Sequence, residues 1–415
     1  ALWRGNNTYM KGIDLMRILS VCDLVYLENK FFPGISNGNP VGNYHGEIAA
    51  LSCGSFGIPG AWKKGDFDTS VAGSQNPGFP SGKDDIEKVF FEALTFNGII
   101  SMLWAVRTMP LSICSCEEDL LKMFMEWDRI YPYEKKTLSF IRELPVFCER
   151  ENIANIAVLY HRETLELDHF AALPSLHLAE EFLLKSRLPY NTVFSESIED
   201  VYKYKMLVLP NVSLLSEKES RMVSTFVENG GKLLSFGLPG VYDLRKRPRK
   251  DSLLKTLINA SVFDHSDEFI ENKYSKGETL YIPAKFAEGH KIANMMSAPD
   301  RNLYPMWTDN FAKIKSSVLR LLGGDLQISV KLDGVAGVSL SRLNDGRKAV
   351  QIFSYEDETK EQMVFLKISN SISCESVCEW ITPDLGSVIV KGSKKASYHE
   401  FKLPGFIRYG TAILK

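Results

Sequence analysis

Apolar runs alternate with polar loops and amphipathic segments over residues 1–150. Each of three short apolar runs ends in a polar or irregular stretch, and two longer segments have apolar residues at helical spacing. Strand, loop and helix in this repeated order predict parallel βα units. The predicted strands are Asp23–Glu28, Ile58–Trp62 and Gly98–Trp104, and the predicted helices are Asp85–Phe96 and Glu117–Leu144.

Only about three βα units fit into this first segment, which leaves two interpretations of its fold. A closed (β/α)8 barrel needs eight such units and about 250 residues. The segment also begins with what reads as a loop and a helix without a preceding strand. We therefore predict that residues 1–150 are the C-terminal part of a (β/α)8 barrel, its last three βα units. A small open α/β domain is the alternative.

Residues 151–265 have a second and more regular alternation of strands and helices. Ser216, with Glu219 three positions later, has the pattern of a capping box for a helix over 217–229, and Gly230-Gly231 is a stop signal. The pattern predicts a flavodoxin-like doubly wound α/β domain. Its other predicted elements are the strands Asn155–Tyr160, Asn191–Phe194, Met206–Pro210 and Lys232–Phe236 and a helix over 168–187.

From residue 326 the pattern changes to short alternating segments. Asn344-Asp345-Gly346-Arg347 is a strong hairpin turn between two of them. We predict a C-terminal antiparallel β-sandwich over 326–415 and a connector over 266–325 with a helix at 309–322, so that the chain is a multidomain α/β protein. The predicted strands are Gln327–Leu332, Val338–Leu343, Ala349–Ser354, Gln362–Ile368, Ser376–Ile381, Val388–Lys391 and His399–Leu403.

Charge and hydrophobicity narrow the range of partners. The chain of 415 residues is 45% hydrophobic with a net charge of −2, so neither nucleic acid nor a membrane surface is predicted as a partner. The basic run 245–250 is short, broken by Pro248 and without aromatic residues, and we interpret it as a solvated loop. No stretch reaches the ~20 apolar residues of a membrane span, and the first residues do not have the pattern of a signal peptide.

The seven cysteines are scattered and lack the spacing of a disulfide framework. This usage predicts a reduced, cytoplasmic setting. Cys114-Ser115-Cys116 could contribute to a zinc site, but no second cysteine pair lies nearby in the sequence. Structural thiols are therefore favoured, and no metal or cofactor is predicted.

Four stretches of sequence carry a resemblance to known enzymes. VLPNVSLLSEKESRMVSTFVENGGKLLSFG (208–237) closely resembles the trimerisation domain of certain β-galactosidases, and NIAVLYHRETLELDHF (155–170) resembles its first strand and loop. VSLSRLNDGRKAVQIFSY (338–355) resembles the hairpin of their C-terminal sandwich, and EALTFNGIISMLW (92–104) with FMEWDRIYPYE resembles the end of their catalytic barrel. In this order the chain is similar to the C-terminal part of β-galactosidase- and α-L-fucosidase-like glycoside hydrolases.

The resemblance implies an enzyme that hydrolyses a galactoside- or fucoside-type bond, with a retaining mechanism, and that assembles as a homotrimer. The alternative is a non-catalytic carbohydrate-binding or assembly subunit, such as an inactive relative or one half of a split glycosidase. Five further βα units upstream, with a carboxylate at the end of the fourth strand, would favour the enzyme. The same domain also resembles class I glutamine amidotransferases, but Ser235–Gly240 has no cysteine at the nucleophile position.

Glu28 is the candidate catalytic residue. Glycosidases need two carboxyl groups beside the scissile bond, and in a barrel these groups lie at the carboxyl ends of strands. Glu28 ends a predicted strand and opens a loop rich in glycine and asparagine, so it is predicted to be the general acid. A loop glutamate or a ligand to a sugar hydroxyl is the alternative. After the next strand only Asp66 and Asp68 follow, where the β-galactosidase pattern has a glutamate nucleophile; a second carboxylate is expected upstream of residue 1.

Four more residues are predicted to bind substrate: Trp62, Asp66, Trp104 and Arg107. The two tryptophans end predicted strands, where flat rings can stack on a sugar, although a buried core position is the alternative for each. Arg107 could bind a hydroxyl or a carboxylate, or form a surface ion pair. His161-Arg162 follow the first strand of the doubly wound domain, where such sheets form a crevice. The helices 168–187 and 217–229 and the loop 238–251 are the predicted subunit surfaces.

Overall fold

The structure of the chain, a computed structural model, combines several sheets with helices of moderate length. It is a mixed α/β structure, as the sequence predicts. The residues that the structure describes are 24–29, 34–36, 39–41, 56–61, 83–96, 102–103, 131–147, 150–259, 269–283, 305–324, 326–356 and 361–414.

The first sheet is parallel. The strands of this part are β1 (Leu24–Asn29), β2 (Gly34–Ser36), β3 (Asn39–Val41), β4 (Phe56–Ala61) and β5 (Met102–Leu103). β1, β4 and β5 pair in parallel in the order β1-β4-β5, and β2 and β3 form a small antiparallel pair. Parallel pairing, with the helix Lys83–Phe96 between β4 and β5, is the arrangement expected of βα units.

Helix α1 (Lys83–Phe96) is buried from Lys88 to its end, and its first turn is partly exposed. The polar residues Glu92 and Thr95 lie within it and are buried too. Asp84 and Asp85 in its first turn interact favourably with the positive end of the helix dipole. The next described elements are helix α2 over 131–143, inside the predicted Glu117–Leu144, and strand β6 (Arg150–Asn152).

The second sheet has six described strands, all of them parallel to their neighbours except one at the edge. The strands are β7 (Ile156–Tyr160), β8 (Tyr190–Phe194), β9 (Met206–Pro210), β10 (Lys232–Phe236), β11 (Ile270–Tyr274) and β12 (Gly277–Ile282). Their order is β11-β12-β10-β9-β7-β8, in which β11 is the antiparallel strand. Without β11 this is the strand order of a doubly wound, flavodoxin-like sheet, as predicted.

This sheet continues beyond residue 265. The sequence prediction places β11 and β12 in the connector 266–325, whereas β12 pairs in parallel with β10 over the whole length of β10. Leu280 and Ile282 of β12 are completely buried. Gly277 brings the start of β12 so close to the helix Glu217–Glu228 that a Cβ atom there would lie 2.1 Å from the carbonyl oxygen of Val227.

Three helices of this part correspond to the predicted helices, whereas two short α-helices and a 3-10 helix were not predicted. The helices are α3 (Arg162–Leu167), α4 (His169–Ser186), α5 (Glu217–Glu228), α6 (Leu253–Thr256) and α7 (Pro305–Leu321), together with a 3-10 helix over Ser195–Lys203. The predicted ones are α4, α5 and α7, and α3 is an extra short helix before α4. None of the helices in the described ranges is long and apolar enough to cross a membrane.

Two predictions about these helices have clear outcomes. The capping box of α5 is confirmed, because Ser216 Oγ accepts from Glu219 N at 3.2 Å and Glu219 Oε2 accepts from Ser216 N at 2.6 Å. The prediction that helix 168–187 forms a subunit surface is wrong. α4 is mostly apolar and, where its side chains are described, mostly buried within the chain, because it packs against β9 and the strand Ala336–Leu343.

The C-terminal residues form two antiparallel sheets. The described strands are β13 (Ile328–Lys331), β14 (Ala336–Leu343), β15 (Lys348–Ser354), β16 (Gln362–Ser369), β17 (Val377–Thr382), β18 (Gly386–Lys391), β19 (Ser393–Lys394), β20 (Tyr398–Phe406) and β21 (Tyr409–Leu414). The strand orders of the two sheets are β13-β16-β20-β19 and β18-β17-β21-β15-β14-β6. β6 precedes the doubly wound sheet in sequence but pairs with β14.

The two antiparallel sheets enclose one hydrophobic core. Buried side chains from both sheets belong to it, with Trp380 packed edge-to-face on Phe406 at 6.0 Å between ring centroids. The hairpin predicted at Asn344–Arg347 joins β14 to β15, and Gly346 has the positive φ of 85° that such a turn needs. β19 and β21 were not predicted.

Helix α1 is fixed against the six-stranded antiparallel sheet. Tyr355 Oη donates to Glu92 Oε1 at 2.7 Å, and Ser339 Oγ donates to the carbonyl oxygen of Thr95 at 2.6 Å. These bonds give partners to polar groups that would otherwise be costly to bury. The first segment and the C-terminal sheets therefore share a closely packed boundary.

Candidate functional site

The carboxyl ends of β1, β4 and β5 lie side by side. In the parallel register Glu28 pairs with Gly60, and the next residue of β4, Ala61, pairs with Leu103 at the end of β5. These three strand ends therefore form one edge of the sheet. In parallel α/β folds this edge carries the active site.

The structure places one predicted site residue at this edge. Glu28 is the fifth residue of β1 and lies one position before its end. Trp62, Asp66, Trp104 and Arg107 lie outside the described residues, as do Cys114 and Cys116. In sequence, Trp62 directly follows the last residue of β4 and Trp104 directly follows the last residue of β5.

A second cluster of polar residues lies at the carboxyl edge of the doubly wound sheet. The strand order reverses between β7 and β9, and crevices form at such switch points. His161 follows the last residue of β7 and is only 1% exposed. It is the N-cap of α3 and lies beside Glu163 of that helix and Glu219 of α5.

The hydrogen bonds of His161 fix the proton position on its ring. Nδ1 accepts from the backbone N–H of Thr164 at 3.1 Å. A backbone N–H can only donate, so in the neutral ring the proton is on Nε2. Nε2 then donates to Glu219 Oε1, 3.1 Å away. His161 thus caps one helix and ties it to another.

Glu219 is held in its ionised form. Burial of its carboxyl group opposes ionisation, but the hydrogen bonds from His161 and Ser216 outweigh burial and lower its pKa to about 2. Both oxygens have partners, since Oε1 accepts from His161 and Oε2 accepts from Ser216 N. A carboxylate with this pKa is a poor general acid or base near neutral pH.

His161, Glu163 and Glu219 offer potential metal ligands within 4.8 Å of one another. A metal ion on His161 would need the lone pair of Nε2 and would move the ring proton to Nδ1. That proton would then face the N–H of Thr164, which already points at Nδ1. The hydrogen bonds therefore favour a structural role for this cluster over metal binding.

The end of β10 and the turn after it, Ser235–Gly240, hold no reactive nucleophile. Ser235 is completely buried, and Gly237 follows β10 with a φ of 69°. Asn211 fills the space at Gly237, and its Oδ1 accepts from the backbone N–H of Leu238 at 2.9 Å. In the described part of the chain Cys374 and Cys378 are far along the sequence from this elbow, and burial raises the pKa of Cys378 to about 12.

The basic loop lies across the switch point. Tyr242 bridges to Leu214 on one side and Pro248 on the other, and Lys246 Nζ lies 3.4 Å from the carbonyl oxygen of Leu167. Most of the run 245–250 is exposed, which agrees with its interpretation as a solvated loop. Arg249 is the exception, since it is mostly buried and reaches Glu217 Oε2 at 3.1 Å.

The sequence indicated parts of this second cluster but not the cluster itself. His161 was placed at the crevice and Glu219 in a capping box, yet nothing in the sequence paired residues 58 positions apart. Histidine is not among the usual N-cap residues, so no local signal in the sequence marks His161 as the N-cap of α3.

Comparison with solved structures identifies the fold. A catalytic mutant of a GH42 β-galactosidase from G. stearothermophilus matches with a TM-score of 0.57 and 13% identity over 90% of this chain and 56% of that chain. α-L-Fucosidase isoenzyme 2 from Paenibacillus thiaminolyticus matches with 0.55 and 14% over 94% and 65%. A β-galactosidase from Bacillus circulans sp. alkalophilus matches with 0.54 and 10% over 86% and 60%.

No protein-family model matches the sequence, and no curated protein is significantly similar to it. The chain spans between 56% and 65% of the length of these three structures. At such low identity the likeness concerns the fold. The resemblance predicted from the sequence is confirmed at that level: the chain has the fold of the corresponding part of β-galactosidase- and α-L-fucosidase-type glycoside hydrolases.

Proposed function

We propose that this chain is the C-terminal part of a glycoside hydrolase that cleaves a galactoside- or fucoside-type bond. The observation that carries the proposal is the position of Glu28 at the carboxyl edge of a parallel sheet, in a chain with the fold of such enzymes. Within the proposal the first sheet is the end of a (β/α)8 barrel, and residues 326–415 form a β-sandwich. A cytoplasmic location belongs to the same proposal.

Glu28 is proposed to protonate the oxygen of the leaving group. A second carboxylate, contributed by another strand, would attack the anomeric carbon in a retaining mechanism. Trp62 and Trp104 are proposed to stack on the sugar, since each directly follows a strand end at this edge. Asp66 and Arg107 are proposed to bind sugar hydroxyl groups. No cofactor is needed for this chemistry.

A panel of nitrophenyl glycosides tests the proposal. The panel should include both anomers of galactose and fucose, with glucose as a matched control sugar. We expect turnover of a galactoside or a fucoside by the longer protein, which is this chain together with the proposed upstream part of the barrel. Absence of turnover on every sugar, by a folded protein, would favour the non-catalytic carbohydrate-binding or assembly subunit.

The protein is also proposed to form a homotrimer through its doubly wound part. Leu167 and Leu244 are 53% and 37% exposed. The two lie near each other, since Lys246 of the basic loop donates from Nζ to the carbonyl oxygen of Leu167 at 3.4 Å. Exposed apolar residues at a sheet edge are candidates for a subunit contact. Because α4 is buried, the loop and the exposed face of α5 remain as surfaces for a closed ring.

Light scattering tests the assembly. We expect a particle of about 140 kDa, three times the 46.8 kDa of one chain. Leu167→Asp combined with Leu244→Asp should shift the protein to the monomer, because each aspartate would be buried without a partner. Leu385→Asp, at an equally exposed leucine of the C-terminal sheets, is the control and should remain trimeric. A wild-type monomer at micromolar concentration would contradict the proposal.

A further inference from the structure

We propose that the outer face of the sheet β13-β16-β20-β19 binds an anionic polysaccharide that carries carboxylate or sulfate groups. Phe365 and the lysines on either side of it, Lys331 and Lys402, form the proposed site. This site is separate from the edge that holds Glu28, because it lies on a different sheet.

The three residues form one row across the sheet. β16 lies between β13 and β20, and Phe365 pairs with Lys331 on one side and with Lys402 on the other. Side chains alternate between the two faces of a strand. Val364 and Leu366 are completely buried in the core between the sheets, so the row containing Phe365 faces outward.

The outer face exposes apolar surface in the middle of this row. Phe365 is 40% exposed, and Met363, two positions earlier on the same face, is 46% exposed. Isolated exposed apolar residues are common, but an aromatic ring in the centre of an open sheet face is a platform on which a flat ligand can stack. The C–H faces of sugar rings are ligands of that kind.

The charges around the ring select an anionic ligand. Lys331 and Lys402 are exposed, and neither forms an ion pair with a residue that the structure describes. They stand two strand spacings apart, about 10 Å, with the phenyl ring between them. The third lysine of the face, Lys367, pairs with Glu400 at 3.4 Å, which neutralises the nearest carboxylate. Glu361 lies at the end of the face, against Gly405.

A sugar polymer fits this face better than a nucleic acid does. Proteins that bind single-stranded nucleic acid present several aromatic rings along a basic groove, so that successive bases stack. This face presents the exposed ring of Phe365 between two lysines, and the half-buried ring of Tyr398, which Lys367 Nζ covers at 4.9 Å from its centroid. The chain as a whole has a net charge of −2. The choice of a sugar also rests on the proposed glycosidase function. Single-stranded DNA, which is also anionic and can also stack on an aromatic ring, is the alternative ligand.

Native gel electrophoresis through polysaccharide tests the inference. The longer protein would be run in gels that contain polygalacturonate, dextran sulfate or neutral dextran, with single-stranded DNA as a competing ligand. We expect retardation by at least one anionic polysaccharide and none by neutral dextran. Phe365→Ala and the pair Lys331→Gln with Lys402→Gln should each weaken the apparent affinity at least about tenfold.

Matched controls separate this site from general charge effects. Lys218→Gln with Lys255→Gln removes two exposed lysines from the helices of the doubly wound sheet and should leave the retardation unchanged. An unchanged affinity of Phe365→Ala, or tighter binding of single-stranded DNA than of either polysaccharide, would overturn the inference. Hydrolysis of a small nitrophenyl glycoside should be the same in Phe365→Ala and the wild type, so loss of hydrolysis and loss of polysaccharide binding are distinguishable.

Discussion

Glu28→Gln is expected to reduce kcat at least about a hundredfold in the longer protein, the lower range for removing a general acid. Glutamine has nearly the same shape as glutamate but cannot transfer a proton to the leaving oxygen. The substitution leaves the backbone pairing of Glu28 with Gly60 near the end of β1 unchanged, so the fold should be retained. Turnover of nitrophenyl glycosides, with a thermal melt beside it, measures both effects.

The leaving group provides a sharper test of the role of Glu28. If this residue is the acid, the loss should be large for a poorly acidic leaving group and small for dinitrophenol, which leaves without protonation. Glu143→Gln, at an exposed position at the end of α2, is the matched control and should have wild-type turnover. Equal losses for both leaving groups would assign Glu28 to sugar binding. Unchanged kcat would remove it from the site.

The doubly wound sheet was predictable because its signals are local. β9 and β10 have the predicted bounds, and α5 begins at the predicted capping box. Each is a compact apolar run or a helix with a clear start and stop signal. Such signals do not depend on what the rest of the chain does.

Strands that depend on distant partners were missed. β6 is a three-residue strand with the polar sequence Arg-Glu-Asn, and it forms only because β14 offers a free edge. β11 has the half-exposed pattern of an edge strand and pairs only with β12. β19 has two residues. Short strands without a buried face carry little periodicity, so tertiary pairing decides them.

The sequence was sufficient to predict that Glu28 lies at the carboxyl edge of a parallel sheet. Glu28 was placed at a strand end, and the register brings that end beside the ends of β4 and β5. The pair His161–Glu219 was not predicted, because a hydrogen bond across 58 residues depends on how β7 and α5 are arranged around the sheet. Sequence patterns show which residues end a strand or cap a helix, and only the topology shows which of them meet.

Glu219→Gln is expected to lower the free energy of unfolding by about 3 kcal/mol at neutral pH and by much less in acid. The wild-type carboxyl group has an ordinary pKa of 4.5 and a folded-state pKa of about 2. A pKa lowered by folding stabilises the protein above pH 4.5, and this contribution is lost as the pH falls from 4.5 towards 2. Glutamine keeps an oxygen that can accept from His161 but has no charge to lose.

Urea unfolding of wild type and variants at pH 7, 4 and 3 measures this contribution. The difference between wild type and Glu219→Gln should shrink below pH 4.5 by up to about 1.4 kcal/mol for each pH unit. Glu217→Gln, in the same helical turn but with a side chain that is 69% exposed, should show little difference at any pH. His161→Asn retains an N-cap for α3 but no donor that reaches Glu219, so it should remove most of the same pH dependence. A difference between wild type and Glu219→Gln that stays constant from pH 7 to pH 3 would mean that packing, and not the charge of Glu219, stabilises this cluster.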